Sequence, residues 1–148
     1  MGSPKKILKI YSLVILGLAV LTLTSIILEL RSVEVNNVVL PDGAPEIVLD
    51  IAKGVIVVIS LVFLLPQLYL GIKGLCVAEN PDSSRGHIIC SMVLFVLNLL
   101  SLVAPIISIV TQDGDPSGVN FRSIVSTLAS ATVYYEYHKY AKKVYEEN

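Results

Sequence analysis

The stretch from Val55 to Val110 constrains this chain more than any other. It is two long apolar runs joined by one short polar turn, Ala78-Glu79-Asn80-Pro81-Asp82-Ser83-Ser84-Arg85-Gly86-His87. In water such a hairpin is insoluble, because so short a connection cannot cover its apolar faces. In a bilayer it reads as two antiparallel spanning helices, since a crossing takes about 20 apolar residues. Two more apolar runs flank it, and the four with their loops use up the 148 residues. The sequence therefore predicts an all-α polytopic membrane protein, an antiparallel four-helix transmembrane bundle. Residues 1–148 form a single transmembrane domain, with spans over about 10–28, 46–75, 87–110 and 119–138 and a short extracytoplasmic loop over 31–45. Charged residues make up 16% of the chain, against about 25% in a soluble domain, and no stretch is left for a separate soluble unit.

Taken in order, the chain begins with a short basic segment. Gly2 raises N-myristoylation, but Lys6 stands where that signal requires Ser or Thr. A signal peptide is the other reading of a basic start and an apolar run. The run is too long for one, and no small-residue cleavage site follows Ser25, so an uncleaved first helix is expected. Alternating valines from Val33 to Val39 permit a short strand or extended segment before the Pro41-Asp42-Gly43 turn. Span two starts near Glu46, just after Pro45. At ~45 Å it exceeds the ~30 Å hydrocarbon core, which puts its first turns in the headgroup layer. Pro66 in span two and Pro105 near the far end of span three are the predicted hinges, because a proline removes a helix hydrogen bond. The tail from Lys139 continues the last helix into water.

Orientation follows from the basic residues near the span ends. Lys5, Lys6, Lys9, Lys73, Arg85, Lys139, Lys142 and Lys143 gather on one side, and Arg31, Lys53 and Arg122 on the other. The first side is predicted to be cytoplasmic, giving a multi-pass protein of the cell (inner) membrane with both termini inside. Tyr11, Tyr69, Tyr134, Tyr135, Tyr137 and Tyr140 fall near the same ends, as a one-sided aromatic belt would.

Polar residues inside the spans recur at helical spacing. Span three carries Ser91, Asn98, Ser101 and Ser108 on one stripe, and span two carries Lys53, Ser60 and Gln67. In lipid these stripes are expected to face one another, forming a seam of Thr22, Ser60, Gln67, Asn98, Ser101 and Ser126. Two readings of the seam stand side by side: a glue of small residues, or a ligand or ion path past Thr22, Ser60, Gln67 and Asn98. Asn98 is expected to bond across the bundle. Glu29, Asp50, Lys53 and Arg122 form an outer charge cluster, read as boundary ion pairs rather than a substrate site. No carboxylate falls at mid-membrane, which counts against a proton-driven pump.

Reactive chemistry is sparse. Cys76, Asp82, His87 and Cys90 raise zinc, but their spacing matches no finger, and they read as two apolar thiols with a loop histidine. There is no C-x-x-C, H-E-x-x-H, G-x-S-x-G or phosphate-cradling glycine loop. The sequence thus predicts no catalytic residue, metal or cofactor. The Tyr134-Tyr135-Glu136-Tyr137-His138 run reads as an interfacial belt, and Gly71 and Gly74 as places where span two packs closely or bends. A net charge of −1 gives no basic footprint for nucleic acid.

Two resemblances add to this reading. Pro66-Gln67 within a span, followed by Lys73, resembles the Pro-Gln dipeptide of PQ-loop sugar and amino-acid carriers, where the proline hinges a helix beside the substrate. The Lys-Ser that usually follows is absent, since Lys73 precedes Gly74-Leu75-Cys76. The segment from Gly71 to Pro81 resembles the loop between the second and third spans of small uncharacterised four-span bacterial membrane proteins, which implies a fold and no activity. The expected function is a non-enzymatic association or accessory module. Its partners are the lipid bilayer and either a second copy or a larger membrane protein. The alternative is a small-molecule carrier or channel with a polar path between the helices, and a membrane-embedded enzyme ranks third.

Overall fold

A computed structural model describes residues 3–35, 47–81, 85–103, 105–107 and 121–147. The described residues form four helices and no strand: α1 Pro4–Val35, α2 Ile47–Glu79, α3 Gly86–Ser101 and α4 Phe121–Glu146. Helix α1 starts ahead of the predicted span because Ser3 caps it. The Ser3 carbonyl accepts from the Lys6 N–H at 2.9 Å and the Ile7 N–H at 3.2 Å, and Pro4 follows as the first helical residue. Proline is favoured there because the N–H it lacks would have no partner. At its other end α1 runs through Val35, so Val33–Val35 are helical rather than extended. Valine's β preference is weak and depends on context, and it does not stop a helix already under way. The rest of the predicted loop over 31–45 lies outside the described residues.

Helix α2 continues past 75 to Glu79 and closes with the Asn80 N–H donating to the Cys76 carbonyl at 2.8 Å. Pro81 follows and cannot prolong it. Regular α3 ends at Ser101, short of the predicted 110. Pro105 is the cause: it has no N–H for the Ser101 carbonyl. The chain tightens there, with the Leu102 N–H on Leu99 O at 3.1 Å, and recovers with the Ile106 N–H on Leu102 O at 3.1 Å.

Among the described residues, three helical stretches are long and apolar enough to cross a membrane: Pro4–Arg31, Lys53–Glu79 and Gly86–Ile107. The fourth predicted span, 119–138, begins outside the described residues. Its described part is the least apolar of the four, with Glu136 and His138 at its end and Lys139, Lys142 and Lys143 beyond it. Large apolar side chains such as Leu13, Val20, Ile51, Val62, Ile89 and Leu100 stand exposed on the other three helices. A soluble monomer rarely shows so extensive an apolar surface.

Helix α1 lies along α2, α4 bridges α1 and α3, and α2 meets α3 more sparsely. Lys9 pairs with Glu79 at 3.0 Å, Tyr11 stacks on Tyr140 with centroids 5.9 Å apart, and His87 lies 5.8 Å from the Tyr145 ring. These contacts set the starts of α1 and α3 beside the ends of α2 and α4, at what is here the basal end. Leu8, Ile15, Leu70, Val77, Leu94, Tyr134, Tyr137 and Val144 fill the core there. Gly71 and Gly74 are the points of closest approach. A methyl group on Gly74 would overlap the Ser12 hydroxyl and sit 2.6 Å from the Tyr137 ring, and one on Gly71 would overlap Leu16. Close packing is the role the contacts give this glycine pair.

Candidate functional site

Burial fades away from the basal end. Among the described side chains, none on α1 beyond Ala19, on α2 before Leu64 or on α4 before Ala131 is buried. The helices part above that level, and the space between them is an open cleft of about 270 Å³. From α1 it receives Thr22, Ser25, Ile26 and Glu29; from α2, Ile59, Ser60, Phe63 and Gln67; from α3, Asn98; and from α4, Ser130 and Tyr134. Steps of three and four along each helix put these residues on one face.

Four of the six predicted seam residues, Thr22, Ser60, Gln67 and Asn98, therefore meet at one space. Ser101 and Ser126 do not: both are exposed, and neither lines the cleft. Gln67 is buried, at 9% exposure, and forms the floor beside Tyr134. Its Oε1 lies 3.1 Å from the Thr22 hydroxyl, which also lies 2.9 Å from the Leu18 carbonyl. One hydroxyl proton serves both acceptors.

The polar groups bond back more than across. Ser12 donates to Leu8 O at 2.8 Å, Ser101 to Asn98 O at 2.7 Å, Ser130 to Ser126 O at 2.9 Å and Thr132 to Leu128 O at 2.9 Å, each within its own helix. A helix in an apolar environment satisfies hydroxyls this way because the carbonyl one turn back is always within reach. Asn98 follows the same rule. Its Nδ2 donates to Leu94 O at 2.8 Å, a bond along α3, and the expected bond across the bundle does not occur among the described residues. Cross-helix polar bonds sit mainly lower: the Tyr137 hydroxyl donates to Leu70 O at 3.1 Å, and His138 Nδ1, 3.1 Å from Ile88 O, must carry its proton to bond that carbonyl. The seam is thus a weak glue and a polar lining.

The outer charge cluster is described only in part. Glu29 lines the cleft, Asp50 is exposed, Lys53 is half-buried, and the Arg122 side chain lies outside the described residues. Of the two predicted hinges, Pro66 faces away from the cleft and borders a shallow apolar hollow with Val58, Leu61, Val62 and Leu65. Pro105 sits just past the end of regular α3.

Sequence reasoning missed Tyr134 and His87. The tyrosine run looked like a belt, yet Tyr134 and Tyr137 are among the largest fully buried side chains, and Tyr135 of the same run is exposed. Spacing held the signal: Tyr134, Tyr137, Ala141 and Val144 recur at three and four, as a core face does. His87 is no loop residue. It is buried in the first turn of α3, edge-on to Tyr137 at 6.1 Å. Cys76 is exposed and Cys90 half-buried, and neither forms a disulfide. No cluster of histidine, cysteine or acidic residues that would hold a metal occurs among the described residues.

The chain matches no known family model, no curated protein and no solved structure.

Proposed function

We propose that this chain is an antiparallel four-helix bundle embedded in the inner membrane, with both termini cytoplasmic, and that it carries a small hydrogen-bond-donating molecule through the cleft at Gln67 and Asn98. The observation behind this reading is the meeting of Thr22, Ser60, Gln67 and Asn98 at one open space. A seam that served only to hold helices together would close on itself, since unfilled space forfeits contacts.

The lining favours one class of ligand. The protons of Thr22 and Ser130 and one of Asn98 are engaged within their own helices. The oxygens of those groups keep acceptor capacity, and Asn98 keeps one N–H. A complementary ligand donates: an ammonium, an amide or a polyol. The volume, about 270 Å³, lies just under the ~300–1,000 Å³ usual for ligand sites, which limits the ligand to about ten heavy atoms, since a cavity of ~150 Å³ holds benzene. The cleft floor, Tyr134 and Gln67, is buried against the filled basal core. That supports a carrier that must rearrange over an open channel. The resemblance to PQ-loop carriers fits in one respect, since Gln67 faces the cleft.

Cysteine accessibility tests the reading. In a Cys76→Ala, Cys90→Ala background, Ser60→Cys should react with a water-soluble maleimide in membranes, and Val58→Cys on the outward face should not. Equal, negligible rates at both positions would mean a dry interior and would remove the carrier's site. The association module keeps one specific observation of its own: the open apolar hollow of about 410 Å³ on the outward side of α2 beside Pro66. Cross-linking in native membranes through a cysteine at Leu61 tests it, a null result counting against association on that face.

A further inference from the structure

A second cavity lies at the basal end, on the surface between α3 and α4. It measures about 340 Å³ and is unrelated to the polar cleft. Lys139, Lys142 and Lys143 line it with His138, and Met92 and Tyr135 form its apolar end. We propose that this groove binds the headgroup of an anionic phospholipid, with the acyl chains lying along α3. The inference rests on the membrane placement proposed above and is independent of the cleft.

Three observations point to a lipid rather than to a soluble anion. First, the groove is polar at one end and apolar at the other. Its apolar end continues into an outward stripe on α3, where Ile89, Met92, Val93 and Val96 are all exposed. Phe95 packs against Tyr135 with centroids 5.6 Å apart and braces that end. Second, the lysines sit at the end of the bundle where basic residues gather, which is where a spanning helix meets the headgroup layer. Third, the lysines are available. Lys139 pairs with Glu136 at 3.5 Å and Lys142 with Glu146 at 3.9 Å. Such exposed pairs are weak, and a phosphate can displace them. Lys143 has no acidic partner among the described residues and lies 5.5 Å over the Tyr140 ring. His138 is fixed by its Nδ1 on the Ile88 carbonyl, which anchors the groove wall to α3.

Glu146 also lines the groove and opposes an anion. It therefore supplies a substitution of opposite sign. Near a membrane surface each lysine strengthens anionic-lipid binding by a factor of about five. Removing one should weaken retention about fivefold, and neutralising Glu146 should strengthen it by a comparable factor.

The test is native mass spectrometry of the full chain released from vesicles containing equal parts phosphatidylglycerol and phosphatidylcholine. The expected result is preferential retention of phosphatidylglycerol. It should fall about fivefold in Lys143→Gln and further in the triple Lys139→Gln, Lys142→Gln, Lys143→Gln variant, and rise in Glu146→Gln. The triple Lys5→Gln, Lys6→Gln, Lys9→Gln variant should leave it unchanged. Should the groove triple variant fail to fold, Lys143→Gln and Glu146→Gln still give opposite signs. Retention without headgroup preference overturns the proposal, as does a preference that the α1 lysines control. Inorganic phosphate competing at millimolar concentration as well as the lipid would make the groove a soluble-anion site and also overturn it. If neither lipid is retained and the chain stays dispersed without detergent, the membrane placement itself fails, an outcome distinct from loss of selectivity.

Discussion

The glycines offer a test in which one substitution should change sign with position. Gly74 lies against the Ser12 hydroxyl and the Tyr137 ring, while Gly17 and Gly54 have nothing within 4 Å of where a methyl would go. At the open positions Gly→Ala removes only backbone freedom, and should stabilise by about 0.5–1 kcal/mol. At Gly74 the same gain is set against two losses. Overfilling a tight contact costs about 1–3 kcal/mol. Tyr137 must also move, and its hydroxyl bond to Leu70 O, 3.1 Å long, is the scale of an interhelical bond in a membrane, about 0.6 kcal/mol on average and up to ~1.7. The losses exceed the gain, so Gly74→Ala should destabilise by about 1–3 kcal/mol. Unfolding in mixed micelles with rising SDS, followed by far-UV circular dichroism, measures all three variants on one scale. If Gly74→Ala is as stable as the parent, or shifts in the same direction as Gly17→Ala, then α1, α2 and α4 do not meet as described and the basal core is wrong.

The other predictions are simpler. Tyr137→Phe should cost about 0.6–1.7 kcal/mol in the same assay, with helix content unchanged. Lys9→Gln should cost no more than about 0.5 kcal/mol, because the pair with Glu79 is solvent-exposed; a larger loss would mean that the pair is shielded. Asn98→Leu should leave stability nearly unchanged, since its bond lies within α3, yet slow maleimide labelling of Ser60→Cys by narrowing the cleft; a loss well above 1 kcal/mol would restore the bond across the bundle. On intact cells an impermeant thiol reagent should modify a cysteine at Asp42 or Gly114 and spare one at Ser83, and the reverse pattern would invert the proposed orientation.

Helix positions were legible in the sequence because apolar length and the placement of proline act locally. The helix ends were not: α1 starts at Pro4 rather than near 10 and α2 runs to Glu79 rather than 75, although Ser3-Pro4 and Asn80-Pro81 mark those ends by backbone rules that need no knowledge of neighbours. Which face of each helix turns inward was legible for Thr22, Ser60, Gln67 and Asn98 through polar periodicity. It failed for Tyr134, Tyr137 and His87, because in an apolar helix an aromatic side chain suits the core and the interface equally well. Only its neighbours decide, and Gly74 is the neighbour that makes room for Tyr137. The direction of the Asn98 bond was illegible for a related reason. Spacing fixes the face a side chain is on, whereas its hydrogen bond depends on how far the next helix stands away.

That separation between helices links the basal core to the cleft. Two small residues about one turn apart on α2, Gly71 and Gly74, draw α1 and α4 in at one end. Toward the other end α2 offers Phe63, Ile59 and Ser60 at the matching face, of which only Ser60 is small. The same helix thus packs tightly below Gln67 and holds its neighbours off above it. A polar residue at that boundary reaches open space without giving up its burial, as Gln67 does at 9% exposure with Thr22 at 3.1 Å. Under the proposed carrier reading, the boundary would move by a rotamer change of Tyr134 and Gln67, which form the floor, while the glycine contacts hold. An exchange of access built this way would need no movement at Pro66, which faces out. It follows that Pro66→Ala should leave cleft labelling at Ser60→Cys intact, whereas Tyr134→Ala should extend labelling downward to a cysteine at Leu94. If Pro66→Ala abolishes labelling, the proline hinge governs the cleft after all, and the tyrosine floor is a bystander.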